Sequence, residues 1–144
     1  MKRHMKDLKL FDFPIRTYDK VRYADTDRQG HVNNAVFSSF LETGRVEFLY
    51  DPEIQDRASG NSFVIASLKL DFLQELNWPG EVHIGTGLTR IGNSSMVIFQ
   101  RLFQHEKCVA EAETVIVQVD PQTRKSAPFS PMLKNALSQL LLVR

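Results

Sequence analysis

The stretch from Val21 to Arg45 reads VRYADTDRQGHVNNAVFSSFLETGR, and it contains the change of pattern that organises the chain. From Ile15 to Tyr23 polar and apolar side chains alternate, which is typical of a half-exposed strand. From Phe37 onwards apolar residues recur three and four positions apart, which indicates a helix with one apolar face. A polar turn separates the two patterns, so the sequence predicts that the side chains of this turn gather at the start of the helix.

The turn concentrates polar and conformationally special residues. They are Asp25, Asp27, Gly30, His31, Asn33 and Asn34. Either asparagine can cap the helix, because its side-chain oxygen can accept a hydrogen bond from an unpaired N–H of the first turn, and Asn33 is the better placed. Gly30 permits a tight turn and lets a ligand approach the backbone closely. The sequence therefore places its candidate site in this turn.

The rest of the chain adds four strand-like segments. These segments are Phe63 to Phe72, Glu81 to Ile91, Ser95 to Phe103 and Cys108 to Val119. Asp51-Pro52 ends the long helix, and the segment 51–61 is expected to be a polar loop. Gly44 interrupts the helix at a cost of ~1 kcal/mol, which indicates that backbone or ligand comes close there. After Pro131, leucines at helical spacing predict a short terminal helix.

These elements predict one α+β domain over residues 1–144. Its long helix packs on a five-stranded antiparallel sheet, and a short C-terminal helix follows. A chain of 144 residues is large enough to bury a core without a metal or disulfide to hold it.

Composition excludes several classes of function. Lys and Arg (18) nearly balance Asp and Glu (17), and a net charge of +1 offers no basic surface for nucleic acid or an anionic membrane. No apolar run approaches the ~20 residues that span a bilayer. The lone Cys108 cannot form an internal disulfide, and the start of the chain lacks the apolar segment of a signal peptide, so a cytoplasmic location is expected. The four histidines show no metal-binding spacing, so neither a metal nor a cofactor is expected.

The turn and the start of the helix resemble a known motif. Tyr23 to Asn34, YADTDRQGHVNN, is similar to the pattern of hotdog-fold thioesterases of the 4-hydroxybenzoyl-CoA thioesterase type. That pattern is an acidic residue, two arbitrary residues, Gly, His or a small apolar residue, and Val-Asn-Asn opening the helix. The resemblance implies the hotdog fold, in which the sheet wraps around the long helix, and hydrolysis of an acyl-CoA or acyl-carrier thioester. Phe37 stands where the family has a characteristic tyrosine, so no hydroxyl is expected from that position.

The resemblance assigns the catalytic carboxylate to Asp27, which lies three residues before Gly30. Asp27 would act as general base on water or as nucleophile, and the backbone N–H of Asn34 would bind the oxyanion at the positive end of the helix. The alternative for Asp27 is an ordinary Asx-turn. Asp25 is expected to be a solvated turn residue and is the reserve candidate for the catalytic carboxylate.

Four residues are expected to bind substrate: Gly30, His31, Asn33 and Ser67. Imidazole suits acid–base work, but other family members have an apolar residue at the position of His31, so a supporting role is expected rather than proton transfer. Ser67 lies on a strand expected to border the thioester, and its alternative is a small packing residue of the core. Cys108 is expected in the core rather than as a nucleophile.

Coenzyme A enters only as part of the substrate. Arg90, Arg124 and Lys125 could contact its phosphates, or they simply form a solvated face. Two other functions fit the same pocket. One is a hotdog acyl-thioester hydratase or dehydratase, whose Asp-x4-His spacing Asp27 and His31 do not match, and the other is a non-catalytic acyl-thioester binding protein.

The resemblance also implies a homodimer or homotetramer with each site between two protomers. The first strand and the Phe63 to Phe72 strand carry apolar side chains that one helix is not expected to cover fully. An open antiparallel sheet exposes edges that invite pairing with a second copy.

Overall fold

In the computed structural model, which describes residues 5–142, the chain forms a five-stranded antiparallel sheet. The strands are β1 (Ile15–Val21), β2 (Ser62–Phe72), β3 (Gly80–Ile91), β4 (Ser95–Gln104) and β5 (Lys107–Val119). Their order across the sheet is β1-β3-β4-β5-β2, so β1 and β2 form its two edges. Short turns join β3 to β4 and β4 to β5, as the alternation in their sequences predicts.

Three α-helices accompany the sheet within residues 5–142: α1 (Val36–Leu49), α2 (Pro52–Ala58) and α3 (Pro131–Ser138). The long helix α1 lies across β1, β3 and β4 and buries its apolar face there. Its largest buried side chains are Phe37, Phe40, Leu41 and Phe48. Each contributes about 1.5–3 kcal/mol relative to an exposed side chain. None of the helices in this part of the chain is long and apolar enough to cross a membrane.

Gly44 marks the closest approach of α1 to the sheet. A Cβ atom at this position would lie 2.5 Å from Gln100 Nε2 and 2.6 Å from Ile84 Cγ2. Both of those side chains come from the sheet, so Gly44 does have a close neighbour, but this neighbour is a set of side chains and not the backbone or ligand that the sequence predicts. The neighbour is the sheet rather than a ligand, and any larger residue would push the helix away.

The segment 51–61 is not the polar loop that the sequence predicts. It contains α2, whose first turn is capped by Asp51, because the Asp51 carboxylate accepts a hydrogen bond from the Glu53 N–H at 2.9 Å. Ile54 is buried beneath it. The prediction is wrong because Asp-Pro both ends one helix and begins the next: Pro52 occupies a first-turn position whose N–H would have no partner in any case.

Two other boundaries differ from the sequence prediction. β1 ends at Val21, and Tyr23–Asp25 forms a single 3-10 turn instead of continuing the strand. At the other end α3 stops at Ser138, so Leu140 and Leu141 of the predicted leucine stripe lie beyond the helix.

The residues before β1 cover the face of the sheet that is opposite α1. One buried apolar cluster joins this segment to the sheet: Leu8, Phe13, Phe99 and Phe103. Successive residues of a strand face opposite sides, and Leu102 packs into the core on the α1 side. Phe103 therefore faces the N-terminal segment.

The edge strand β2 is the least covered part of the sheet. Its exposed apolar side chains are Val64 (44%), Ile65 (51%), Leu68 (40%) and Phe72 (48%). At the opposite edge Val21 is fully buried and Ile15 is half-buried. The expected incomplete covering is therefore confirmed for β2 and holds much less for β1.

Candidate functional site

The polar turn folds into a closed loop before α1. Thr26 and Val32 form a β-bridge, and the Asp27 N–H donates to the His31 carbonyl at 2.8 Å. The Asp27 carbonyl in turn accepts a hydrogen bond from the Gly30 N–H at 3.0 Å. Gly30 has φ +88°, a conformation that side chains disfavour, so a glycine is needed for the turn to close. The loop therefore holds Asp27 and His31 side by side.

Asp27 is exposed, and within residues 5–142 only one of its carboxylate oxygens accepts hydrogen bonds. Oδ1 accepts hydrogen bonds from the Gln29 N–H at 2.9 Å and the His31 N–H at 3.4 Å. Oδ2 has no hydrogen-bond partner among residues 5–142. The Asx-turn alternative is thus present, and it leaves one oxygen of the same carboxylate available for chemistry.

Asp25 is buried, and the expectation that it is a solvated turn residue is wrong. Its side chain is 2% exposed, and Oδ1 accepts a hydrogen bond from Arg22 Nη2 at 2.8 Å while Oδ2 accepts one from the Arg22 N–H at 2.8 Å. The hydrogen bond and the charge of Asp25 raise the pKa of the Arg22 guanidinium above its ordinary value. The Asp25 carbonyl also accepts a hydrogen bond from the Asn33 N–H at 2.8 Å, so this residue ties the loop together.

Both asparagines of the motif lie in the turn just before α1. The Asn33 side-chain oxygen accepts a hydrogen bond from the Ala35 N–H at 3.0 Å, and its carbonyl accepts one from the Val36 N–H at 2.9 Å. The N-cap of α1 is Ala35, and no side chain caps the helix, so the prediction that Asn33 caps it is wrong. Asn33 instead closes an Asx-turn two residues earlier, because its side-chain oxygen bonds the Ala35 N–H rather than an N–H of the first helical turn. The Asn34 N–H has no hydrogen-bond acceptor in the described part of the chain. It is an unpaired donor at the positive end of the helix dipole.

Asp27, His31 and Asn34 line a common cleft of about 360 Å³. Its other lining residues are Gln29, Val32, Phe37, Phe72, Leu73, Gln74, Glu75 and Leu76. The Phe37 ring meets the edge of the Phe72 ring with centroids 5.1 Å apart, which gives the cleft an apolar side. An exposed carboxylate, an unpaired backbone N–H and an apolar wall thus lie together in this loop cleft.

The wall formed by residues 73–76 is the part of the cleft that the sequence did not predict. Val32 N–H donates to the Leu76 carbonyl at 2.9 Å, which fixes this wall against the loop. His31 Nε2 lies 3.2 Å from Glu75 Oε2 across the cleft. This contact agrees with a supporting role for His31. Nothing in the local sequence marks Glu75, because it lies more than 40 positions away and only the fold brings it close.

The remaining predicted substrate-binding residues do not line the cleft of one protomer. Gly30 and Asn33 shape the loop and the helix start, as described above. Ser67 is exposed on β2, where the sheet has a register shift, and it is not a packing residue of the core.

Other candidate groups lie elsewhere. Cys108 is half-buried, and burial raises the pKa of its thiol, which disfavours the thiolate. Arg90, Arg124 and Lys125 are exposed and stand outside the cleft. No group of three or more metal-ligating side chains exists within residues 5–142, and His4 lies outside the described residues.

Comparison with known proteins assigns the chain to a family. Residues 21–137 match the family described as the thioesterase-like superfamily. The chain belongs to this superfamily. Acyl-CoA thioester hydrolase YbgC of Escherichia coli O157:H7 is 30% identical over 120 residues, which cover 81% of this chain and 87% of YbgC. Acyl-CoA thioesterase YbgC of Haemophilus influenzae is 25% identical over 134 residues, which cover 90% of this chain and 96% of that protein.

Solved structures of similar proteins have the same architecture as this chain. A thioesterase from Thermus thermophilus, crystallised in complex with coenzyme A and zinc, gives a TM-score of 0.78 at 27% identity. The similarity covers 90% of this chain and 95% of that one. The resemblance to hotdog-fold thioesterases and the hotdog fold that it implies are therefore confirmed.

Proposed function

We propose that this thioesterase-superfamily protein hydrolyses acyl-CoA thioesters at the loop cleft. The proposal rests on two groups that line the same cleft. They are Asp27 Oδ2 and the Asn34 N–H, and neither has a hydrogen-bond partner among residues 5–142. Relatives named as acyl-CoA thioester hydrolases support the substrate class. A thioester bound on an acyl carrier offers the same reacting group and is the alternative substrate.

The carbonyl oxygen of the thioester would lie at the Asn34 N–H. Attack on the carbonyl carbon places negative charge on this oxygen, and a fixed N–H at a helix N-terminus stabilises that charge more than it stabilises the neutral carbonyl. The bond to sulfur then breaks, and the thiolate of coenzyme A leaves. The apolar side of the cleft at Phe37 and Phe72 would receive the first part of the acyl group.

Asp27 would supply the oxygen chemistry in one of two ways. As general base, Oδ2 takes a proton from water while the water oxygen attacks the carbonyl carbon, and acid and thiol form directly. As nucleophile, Oδ2 itself attacks, coenzyme A leaves, and water hydrolyses the resulting anhydride. The hydrogen bonds to Oδ1 hold the carboxylate in place for either route. A single turnover in water enriched in oxygen-18 tests for the nucleophilic route. Water that attacks the aspartyl carbon of the anhydride leaves label in the Asp27 side chain, whereas the general-base route places label only in the product acid.

A substrate panel tests the proposal. Purified protein is given acyl-CoA thioesters of different chain length, an aromatic acyl-CoA and one acyl-carrier thioester, and thiol release is measured. We expect release of thiol together with an equal amount of free acid for at least one acyl-CoA. Hydration of an enoyl thioester with the thioester intact would favour the hydratase alternative, and saturable binding without any turnover would favour a binding protein.

We also propose that the active form is at least a homodimer that pairs along β2. The edge strand is 11 residues long, and its exposed apolar side chains include Ile65 and Leu68. A second copy added antiparallel would satisfy the edge hydrogen-bonding groups and cover these side chains. Ser67 of one protomer would then lie at the boundary with its partner, which is how it would reach a substrate bound there.

Light scattering across a dilution series, combined with activity, tests this assembly. Ile65→Glu places a charge in the proposed interface and is expected to give an inactive or weakly active monomer. Tyr18→Glu is the matched control, because Tyr18 is a 61% exposed aromatic residue on the opposite edge strand. A wild-type protein that is fully active as a monomer at every concentration would exclude a shared site.

A further inference from the structure

A second and larger cleft lies away from the loop cleft. It has a volume of about 440 Å³, within the range typical of small-molecule sites. We call it the hairpin cleft, and it is lined by Lys9, Leu10, Phe11, Glu81, His83, Phe103, His105 and Glu106. Phe103 faces the N-terminal segment, so this cleft lies on the face of the sheet opposite α1. It is therefore independent of the site at Asp27.

The walls of the hairpin cleft are aromatic. Phe11 is 84% exposed, an unusual state for a phenylalanine, and its ring is touched from one side by Arg16, whose Cζ lies 5.8 Å from the ring centroid. Phe103 stands on β4 opposite His83 of β3. Lys9 and Phe11 precede residue 21, where the match to the superfamily begins, so one wall of this cleft is built from sequence outside the matched part.

The rim of the cleft offers both hydrogen-bond donors and acceptors. The carboxylate of Glu106 and the imidazole of His105 make no hydrogen bond or ion pair with any residue in the described range 5–142. His83 Nε2 lies 3.5 Å from Glu81 Oε1. Lys9 contributes one positive charge, and Glu81 and Glu106 contribute two negative charges, so the rim has a net charge of −1 with neutral histidines. The rim can therefore both donate hydrogen bonds to the polar edge of a ligand and accept them from it.

The turn that carries His105 and Glu106 is strained. It joins β4 to β5 in two residues, and both have positive φ, 52° at His105 and 65° at Glu106. Two-residue hairpins of this kind strongly prefer Asn-Gly, because other side chains disfavour the left-handed region. Gln104 clamps the strand end, since its side chain bonds the Asn77 N–H at 3.0 Å and the Asn77 carbonyl at 2.8 Å. The chain thus keeps two side chains on the rim where a smaller pair would fit the backbone better.

We propose that the hairpin cleft binds a flat nitrogen heterocycle that carries an amino group, the chemistry of an adenine-type base. An exposed aromatic ring such as that of Phe11 can stack on the face of a heteroaromatic base, whichever substituents the base carries. The amino group donates to Glu106, and the ring nitrogens accept from the cationic and imidazole groups of Lys9 and His105. The base arrives either on a free nucleoside or nucleotide or as the nucleotide end of a larger molecule.

Calorimetric titration with adenosine is the first test. Wild-type protein is expected to bind adenosine saturably, and Phe11→Ala is expected to weaken binding at least tenfold. The decisive variant is His105→Asn with Glu106→Gly, which gives the turn its preferred sequence and removes both rim groups. We expect this variant to melt at the same or a higher temperature and to lose adenosine binding. Glu53→Gln, which removes an exposed carboxylate of α2 paired with Arg57, is the control and should bind as wild type does.

Absence of saturable adenosine binding to the wild type, or equal binding by the well-folded Asn-Gly variant, would show that the hairpin cleft is not a base site. Because binding is measured without turnover, this failure is distinct from a failure of the proposed thioesterase activity.

A kinetic comparison then identifies the molecule that carries the base. This second experiment rests on the proposed function, because it measures thioester hydrolysis. The Asn-Gly variant and the wild type are assayed with an acyl-CoA and with the matching acyl-pantetheine, which has no nucleotide. A KM that rises only for acyl-CoA assigns the base to the substrate's own nucleotide. Unchanged KM values for both substrates, with adenosine binding lost, assign the cleft to a separate nucleoside or nucleotide.

Discussion

Asp25 and Asp27 are two residues apart in one loop, yet they occupy opposite environments. Asp25 is 2% exposed, and both of its carboxylate oxygens are bonded to Arg22. Asp27 is exposed, and its Oδ2 has no partner among residues 5–142. The loop turns between them at the bridge from Thr26 to Val32, so one carboxylate faces the protein and the other faces the cleft. A carboxylate whose bonds are saturated holds structure, and one with an open oxygen is available for chemistry.

The largest expected effect comes from Asp27→Asn. The amide can still accept the hydrogen bonds that Oδ1 accepts, but it can neither attack a carbonyl nor take a proton from water. We expect kcat to fall by about 10²–10⁴-fold with an unchanged melting temperature. Steady-state kinetics and thermal melting measure the two properties together. Near-normal turnover by a folded Asp27→Asn protein would refute the assignment.

Asn34→Pro is expected to have the next largest effect, because proline removes the unpaired N–H from the turn just before α1. Loss of one oxyanion donor costs about 10²–10³-fold in kcat. Asn34→Ala is the matched control: it removes the side chain, keeps the N–H, and should retain nearly full activity. If Asn34→Ala loses as much activity as Asn34→Pro, the side chain rather than the backbone carries the role.

Asp25→Ala is expected to lower the stability of the protein, whereas Asp27→Asn lowers kcat and leaves the melting temperature unchanged. It leaves the backbone N–H and the guanidinium of Arg22 without their acceptor and should reduce the free energy of unfolding by about 1–3 kcal/mol. Urea unfolding measures this loss. At a temperature where the protein is folded, Asp25→Asn should lose much less activity than Asp27→Asn. A larger loss of kcat for Asp25→Asn than for Asp27→Asn would move the catalytic role to Asp25.

His31→Ala is expected to have the smallest effect, about 2–10-fold in kcat, because its side chain only steadies the cleft wall through Glu75. Glu75→Gln keeps an oxygen that can accept from His31 Nε2 and should lose less activity than Glu75→Ala. Kinetics on the three variants test this ranking. Equal losses for His31→Ala and Asp27→Asn would make His31 a partner in proton transfer.

The sequence by itself determined the elements and the motif. Strand alternation and the helical spacing from Phe37 act over a few residues, so local pattern was enough to predict the sheet, the long helix and the place of the loop. The same local reading failed at 51–61, where the Asp51-Pro52 signal for the end of one helix is also the signal for the start of another.

Only the tertiary structure decided what surrounds the motif. It buries Asp25 and exposes Asp27, and it brings Glu75 to His31 across more than 40 positions. It also joins residues 9–11 to the turn at His105 to form the hairpin cleft. These contacts depend on strand order and on which face of the sheet each segment covers, and neither is encoded in the spacing of neighbouring residues. Local propensity sets the elements, while burial and register set the partners of each side chain.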